Sequence, residues 1–309
     1  MGIVDDRLQV DIAGGLQLNN PIMTASGTFG YGNEFSNFVD LDRLGAIIVK
    51  GISLKPRPGN PPPRIVETSC GMLNAIGLEN VGLDNFISEK MPFLRKIKAP
   101  VIVNILGDSL EEYQTLSEKL NDTSGISAIE VNISCPNVKR GGVAFGTDPA
   151  MVFQVTESVK SRTSRPVIVK LSPNVTDITA TAQAAEDGGA DAISLINTLL
   201  GMAVDHRARR PRLANIVGGL SGPAIKPVAL RMVWQAANVV RIPVIGIGGI
   251  MTVEDVLEFM IAGASAVQIG TANLIEPDTT EKVLDGLLDY VEQNGGRPIR
   301  EIIGTLQTG

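Results

Sequence analysis

VIVNILGDSLEEYQTLSEKL, residues 101–120, is the stretch on which the fold turns. Five residues without a charge, VIVNI, give way to Gly-Asp-Ser, and apolar side chains then return at Leu110, Tyr113, Leu116 and Leu120. The first part reads as a strand buried on both faces, because its hydrophobicity is continuous rather than alternating. The second reads as a helix over 109–122 with one apolar stripe, capped by Asp108 or Ser109.

The same unit recurs on both sides. Short apolar, mostly β-branched runs stand at 21–26 (PIMTAS), 46–50 (AIIVK), 128–133 (AIEVNI), 167–171 (VIVKL), 191–196 (DAISLI), 243–247 (PVIGI) and 265–269 (SAVQI). Helical patterns follow at 148–163, where Asp148-Pro149 is a cap plus a first-turn proline, and at 223–240, 252–262 and 279–293. Eight strands alternating with helices predict an α/β fold, a (β/α)8 TIM barrel formed by one domain over 1–309. A doubly wound open sheet is the alternative topology. Two segments fall outside the repeat. Residues 7–18 alternate about Gly14-Gly15 and predict a hairpin at the barrel's bottom. Residues 52–83 form a long excursion ending in NAIGLEN, and long loops in compact domains usually carry function.

Composition narrows the function. The 309 residues are 44% hydrophobic and 19% charged, enough for a large core. A net charge of −6 and 4% aromatics give no footprint for nucleic acid. The acidic start MGIVDDRLQV is unlike a signal peptide, and no apolar run is long enough to span a bilayer, so a cytoplasmic protein without membrane attachment is expected. Two cysteines, Cys70 and Cys135, cannot supply the four thiolates of an iron–sulfur cluster. The single histidine, His206, stands in an arginine-rich segment with no acidic cluster, so no metal site is expected.

Active sites of such barrels lie at the C-terminal ends of the strands. Polar residues fall there repeatedly: Lys50, Asn104, Asn132, Lys170 and Asn197-Thr198, with Cys135 and Asn137 just beyond the fourth strand. Taken singly, the lysines read as solvated rim residues and the asparagines as turn formers. Together they converge on one mouth. Gly248-Gly249 and Gly270-Thr271 follow strands seven and eight, where barrels commonly bind phosphate on backbone N–H groups, and GGLSG at 218–222 heads the next helix. A phosphorylated cofactor follows. No acidic residue ends a strand, which removes a glycosidase carboxylate pair. A Schiff-base lysine is one alternative. Two lysines among asparagines suit a flavin better, since a cation near the ring stabilises its reduced form.

The motifs TASGTFGYG at 24–32, NAIGLEN at 74–80, VNISCPN at 131–137, GGLSGPAIKP at 218–227, IGIGGI at 245–250 and QIGTA at 268–272 together resemble class 1 dihydroorotate dehydrogenases, most closely the class 1B catalytic subunit. The resemblance covers essentially the whole chain. It implies FMN, with Ala25, Ser26, Gly27, Lys50, Asn104, Asn132, Lys170 and Ile196 at the ring or ribityl chain, and Ser221, Gly222, Gly248, Gly249, Gly270 and Thr271 on the phosphate side. It implies dihydroorotate or orotate held by Lys50, Asn74, Ile76, Gly77, Leu78, Asn132, Asn137, Asn197 and Thr198. Cys135 matches the family's catalytic base, which removes the C5 proton while flavin N5 takes the C6 hydride; class 2 members carry serine there. Electrons would pass to NAD through a partner subunit carrying FAD and a 2Fe–2S cluster, within a heterotetramer built on a homodimer of this chain. The class 1A enzymes that use fumarate, and other flavin barrels acting on reduced pyrimidines, are the rivals. Lys139 and Arg140 could assist Cys135, with Gly141-Gly142 as a lid hinge. Cys70 is expected to be buried beside the substrate loop, and Met232 and Trp234 in the core.

Overall fold

A computed structural model describes residues 5–134 and 145–309. Its centre is a parallel sheet of eight strands, in chain order Ile22–Thr24, Ile47–Ile48, Val101–Ile105, Ala128–Asn132, Val167–Lys170, Ala192–Leu195, Val244–Ile247 and Ala266–Ile269. These are called strands one to eight below. All coincide with the apolar runs of the sequence. Every residue of strands one, two, three, five, six, seven and eight is buried, as a sheet covered on both faces requires.

From strand two to strand eight each pairs with its neighbour in sequence, and strand eight pairs with strand one at Val267–Ile22. Closure between strands one and two is narrow. A parallel bridge joins Met23 and Ala46, and Gly45 N–H donates to the Ile22 carbonyl at 2.8 Å. A side chain at 45 would lie 2.1 Å from the Asn20 carbonyl oxygen, so this seam needs glycine. The Thr24 hydroxyl completes it by accepting from Ile48 N–H at 3.0 Å. The sheet is therefore a barrel rather than the open alternative.

Helices Leu110–Asn121, Pro149–Lys160, Ile178–Asp187, Lys226–Ala237, Val253–Ile261 and Thr279–Gln293 surround it. Their starts are the ones the sequence marks. Ser109 accepts from Glu112 N–H, Asp148 accepts from Ala150 N–H ahead of Pro149, and Thr252 forms a capping box with Asp255. One cluster of buried apolar side chains runs from Leu8 to Ile299. Met232 belongs to it, but Trp234 does not: it is 39% exposed on the outer face of its helix.

The hairpin Val10–Ala13/Leu16–Leu18 forms about Gly14-Gly15, both at positive φ. Its turn sits against the Asp191 side chain, just before strand six, and so under the N-terminal end of the barrel. At the other end the long excursions build a second sheet, antiparallel, in the order 199–202, 217–221, 71–74, 65–68. It joins the segment after strand two to the segment after strand six and walls one side of the mouth. Among the described residues no helix is long and apolar enough to cross a membrane.

Candidate active site

The mouth is assembled from strand ends. Lys170, last in strand five and 4% exposed, donates from Nζ to Ser26 Oγ at 3.1 Å, tying the fifth strand to the TASG turn after the first. Lys50 follows strand two and is partly buried; no hydrogen bond or ion pair holds its ammonium among the described residues. Its backbone N–H donates to Gly30 O at 2.8 Å, which explains why strand two stops early. One cation is thus fixed and the other is free to meet an anion.

Three amide or hydroxyl residues stand together beyond strands four and six. Asn197 Nδ2 donates to Asn132 Oδ1 at 3.3 Å, and Asn197 Oδ1 accepts from Thr198 N–H at 2.8 Å. Asn132 Oδ1 also accepts from Ser134 N–H, and Tyr113 donates its hydroxyl to the Asn132 carbonyl at 2.7 Å, which anchors the strand end. Across the antiparallel sheet, Asn74 Nδ2 donates to Gly219 O at 3.3 Å. A Cβ on Gly219 would lie 2.2 Å from Thr198 Oγ1, so glycine here lets Thr198 approach the sheet. Asn74, Asn132, Asn197 and Thr198 are therefore gathered on one side.

Ile76, Gly77 and Leu78 form the turn of NAIGLEN, with Gly77 at φ +76° and Leu78 at φ +58°. A left-handed leucine is costly, by about 1–2 kcal/mol, and must be imposed by its surroundings. Asn80, 6% exposed, does so. Its Oδ1 accepts from the N–H groups of Ser53 and Gly82, and its Nδ2 donates to Ser53 Oγ and Leu78 O. This positioning role was not read from the sequence, although the asparagine lies inside a quoted motif.

The glycine-rich turns converge. Thr271 Oγ1 donates to Ser221 Oγ at 2.9 Å, joining the segment after strand eight to the antiparallel sheet. A Cβ on Gly249, at φ +76°, would fall 2.9 Å from both Gly222 O and Lys226 N, at the start of helix Lys226–Ala237. Gly248 packs toward Ile196, and Gly270 toward Ala25. Gly27, next to Ser26, is exposed. The result is a closely packed glycine cradle at a helix N-terminus, where backbone N–H groups suit phosphate. Asp255 stands behind it. Burial alone would raise its carboxyl, but hydrogen bonds from Lys226 and from Met251 and Thr252 N–H hold it below the usual carboxylate range. The Lys226 ammonium, opposed by desolvation, is held above its usual value by Asp255 and Glu258.

Beneath the mouth lies a group that strand-end reasoning misses. Glu130, fully buried in the middle of strand four, accepts from Asn104 Nδ2 at 2.7 Å on Oε1. Its Oε2 accepts from Ser194 Oγ at 2.9 Å and Gln268 Nε2 at 2.6 Å, and Lys170 Nζ lies 3.7 Å from Oε1. Asn104 Oδ1 and Gln268 Oε1 are buried with no partner among the described residues. The signal was available: Glu, Ser and Gln interrupt the otherwise apolar runs AIEVN, AISL and AVQI.

Other expectations differ. Cys70 is exposed, not buried, because it occupies the turn between strands 65–68 and 71–74. His206 is exposed in the turn between 204–205 and 210–211. Cys135 and Asn137, with Lys139, Arg140, Gly141 and Gly142, lie outside the described residues. Among the described residues no group of three or more His, Cys, Asp or Glu could hold a metal ion.

Comparison with known proteins places the fold and the family. The fold resembles a crystal structure of DHODH from Eimeria tenella in complex with ferulenol, with a TM-score of 0.80 at 23% identity, covering 99% of this chain and 90% of that one. The chain is 60% identical over 301 residues to the dihydroorotate dehydrogenase B (NAD(+)) catalytic subunit of Geotalea uraniireducens, covering 97% of this chain and 98% of the relative. It is 60% identical over 300 residues to that of Geobacter sulfurreducens, with 97% and 98% covered, and 56% identical over 301 residues to that of a Thermoanaerobacter species, with 97% and 99% covered. With the family model for dihydroorotate dehydrogenase also matching residues 7–291, the chain belongs to the dihydroorotate dehydrogenase family.

Proposed function

We propose that this chain is a single-domain cytoplasmic enzyme that oxidises dihydroorotate to orotate in pyrimidine synthesis, with FMN as its bound cofactor. The observation that carries the reading is the junction at the mouth. A glycine cradle bounded by Ser221, Gly222, Gly249 and Thr271 opens beside the Lys170–Ser26 contact and the Asn132–Asn197 pair. The residues fit a flavin mononucleotide. The cradle lies at a helix N-terminus, where backbone N–H groups suit a phosphate, and Asn104 Oδ1 is a buried acceptor, unpartnered among the described residues, of the kind a flavin ring N–H needs. Ala25, Ser26, Gly27, Lys50, Asn104, Asn132, Lys170 and Ile196 would hold the ring and ribityl chain. Ser221, Gly222, Gly248, Gly249, Gly270 and Thr271 would hold the phosphate. Bound there, FMN supplies the acceptor for the hydride leaving C6 of the substrate.

The chain's own residues do the rest. Lys50, the uncommitted cation, neutralises the substrate carboxylate. Asn74, Asn132, Asn137, Asn197 and Thr198, with the backbone at Ile76, Gly77 and Leu78, match the donors and acceptors of the pyrimidine ring. Such pairing also excludes analogues that leave buried amides unmatched. Cys135 removes the C5 proton. A thiol with an ordinary pKa of about 8.5 is far closer to neutrality than a hydroxyl, so a usable fraction is thiolate near pH 7.

The relatives are named as catalytic subunits of NAD(+) enzymes. We extend this to a partner subunit carrying FAD and a 2Fe–2S cluster that relays electrons to NAD, around a homodimer of this chain. An exposed apolar stretch, Leu200, Met202, Val204 and Ile216, at 53–68% exposure, supports a subunit contact. The test is the purified protein with a dye as acceptor, offered dihydroorotate, dihydrouracil and dihydrouridine. Turnover restricted to dihydroorotate is expected; turnover of dihydrouracil alone would reassign the substrate. Robust NAD reduction by the isolated chain would remove the need for a partner.

A further inference from the structure

We propose that Glu130 is a positioning residue that sets both the donor–acceptor polarity and the charge balance of the wall facing the cofactor, an inference that rests on the FMN reading above. Glu130 sits in strand four with no solvent exposure, and its four contacts come from strands three, five, six and eight. It accepts hydrogen bonds on both oxygens. A carboxylate can only accept, whereas a glutamine of the same shape both donates and accepts. The consequence falls on its neighbours. Because the Glu130 oxygens take the NH2 groups of Asn104 and Gln268, the carbonyl ends of both amides must turn the other way. Those two ends, Asn104 Oδ1 and Gln268 Oε1, are buried acceptors without partners among the described residues. Glu130 thus decides that these two amides turn acceptors, and not donors, away from it.

The second consequence is charge. Lys170 is almost fully buried, and Glu130 Oε1, 3.7 Å from its Nζ, is the carboxylate that opposes it. A cation beside a flavin ring favours the reduced, more negative form. The nearby carboxylate offsets that effect in a low-dielectric interior where both charges act strongly. Lys170 then serves to hold Ser26 and the ring while Lys50 remains the net positive charge of the mouth. A buried ion pair contributes little net stability and is better explained by specificity of arrangement.

The experiment is the midpoint potential and visible spectrum of the FMN-loaded protein for wild type, Glu130→Gln and Glu130→Asp. In Glu130→Gln the preference for reduced over oxidised FMN is expected to rise at least tenfold, about 30 mV upward for a two-electron couple, with a shifted flavin band. Glu130→Asp, which keeps the charge, is expected to stay near wild type. A flavin-bearing Glu130→Gln with unchanged potential and band overturns the inference, whereas a wild type that binds no FMN sinks the cofactor reading itself. Should Glu130→Gln fail to fold, the wild type still decides. Its reduced-minus-oxidised infrared spectrum, with glutamate labelled by carbon-13 at the side-chain carboxyl, is expected to show a carboxylate band that moves on flavin reduction. Absence of any glutamate band there overturns the inference.

Discussion

The two ends of the barrel treat polar groups in opposite ways. At the N-terminal end the charged side chains find partners. Arg165, just before strand five, donates to the carbonyls of Leu120, Asn121, Thr123 and Ile126, and Asp191 takes Lys160 and the Val167 N–H beneath the hairpin turn. At the C-terminal end they are left open. Among the described residues Asn104 Oδ1 and Gln268 Oε1 have no partner and Lys50 has no counter-charge, and glycines at 222 and 249 keep the backbone bare where a side chain would clash. The same helices and strands feed both ends, so the difference lies in what the loops were selected to do. Self-sufficiency marks the end that holds the barrel together, and unmet capacity marks the end that binds.

Substitutions at the two ends should therefore separate activity from stability. The largest expected effect is Cys135→Ala, which should slow flavin reduction by dihydroorotate about 10²–10⁴-fold, measured by anaerobic stopped flow, with flavin content and melting temperature unchanged. A rate within threefold of wild type, about the precision of such a comparison, would remove Cys135 as base. The opposite signature belongs to Arg165→Ala. Four carbonyls lose a donor, and a loss of about 1–3 kcal/mol in urea unfolding is expected while kcat per folded molecule stays constant. Gly249→Ala sharpens the comparison at the mouth. A Cβ at φ +76°, 2.9 Å from Gly222 O and Lys226 N, should weaken FMN binding about tenfold, read as cofactor retained after dialysis.

The smallest effect concerns acid. Asp255 has a carboxyl held below its ordinary value in the folded state, chiefly by Lys226 and two backbone N–H groups working against burial. A depressed folded value contributes stability above the unfolded pKa of about 3.9, lost as pH falls through the folded one. Asp255→Asn should therefore flatten the acid limb of the stability profile below about pH 4 and leave the neutral limb parallel to wild type. Identical acid limbs would count against this pair.

Much of this division was legible in the sequence. The eight strands declared themselves through continuous apolar runs, and the caps at Ser109, Asp148 and Thr252 through residue type alone. The mouth was legible because polar residues at strand ends have no packing reason to recur. Three features were hidden for physical reasons. The antiparallel sheet at 65–74 and 199–221 pairs segments far apart in sequence, and its strands are too short and glycine-rich for periodicity to register. Glu130 is one residue inside an apolar run, and only the closed barrel shows that Asn104, Ser194 and Gln268 meet it. Cys70 and Trp234 were assigned to the interior by residue type, whereas a hairpin turn and the outer face of a helix expose them.

On the proposed function, this chain alone should carry the first half of the reaction and hand the electrons on. This is tested most directly by mixing the isolated protein anaerobically with dihydroorotate and then with NAD while following the visible flavin band. The band is expected to bleach with dihydroorotate and to stay bleached when NAD follows, until a partner subunit is added. A band that dihydroorotate leaves oxidised, or a protein with no such band, would contradict that function.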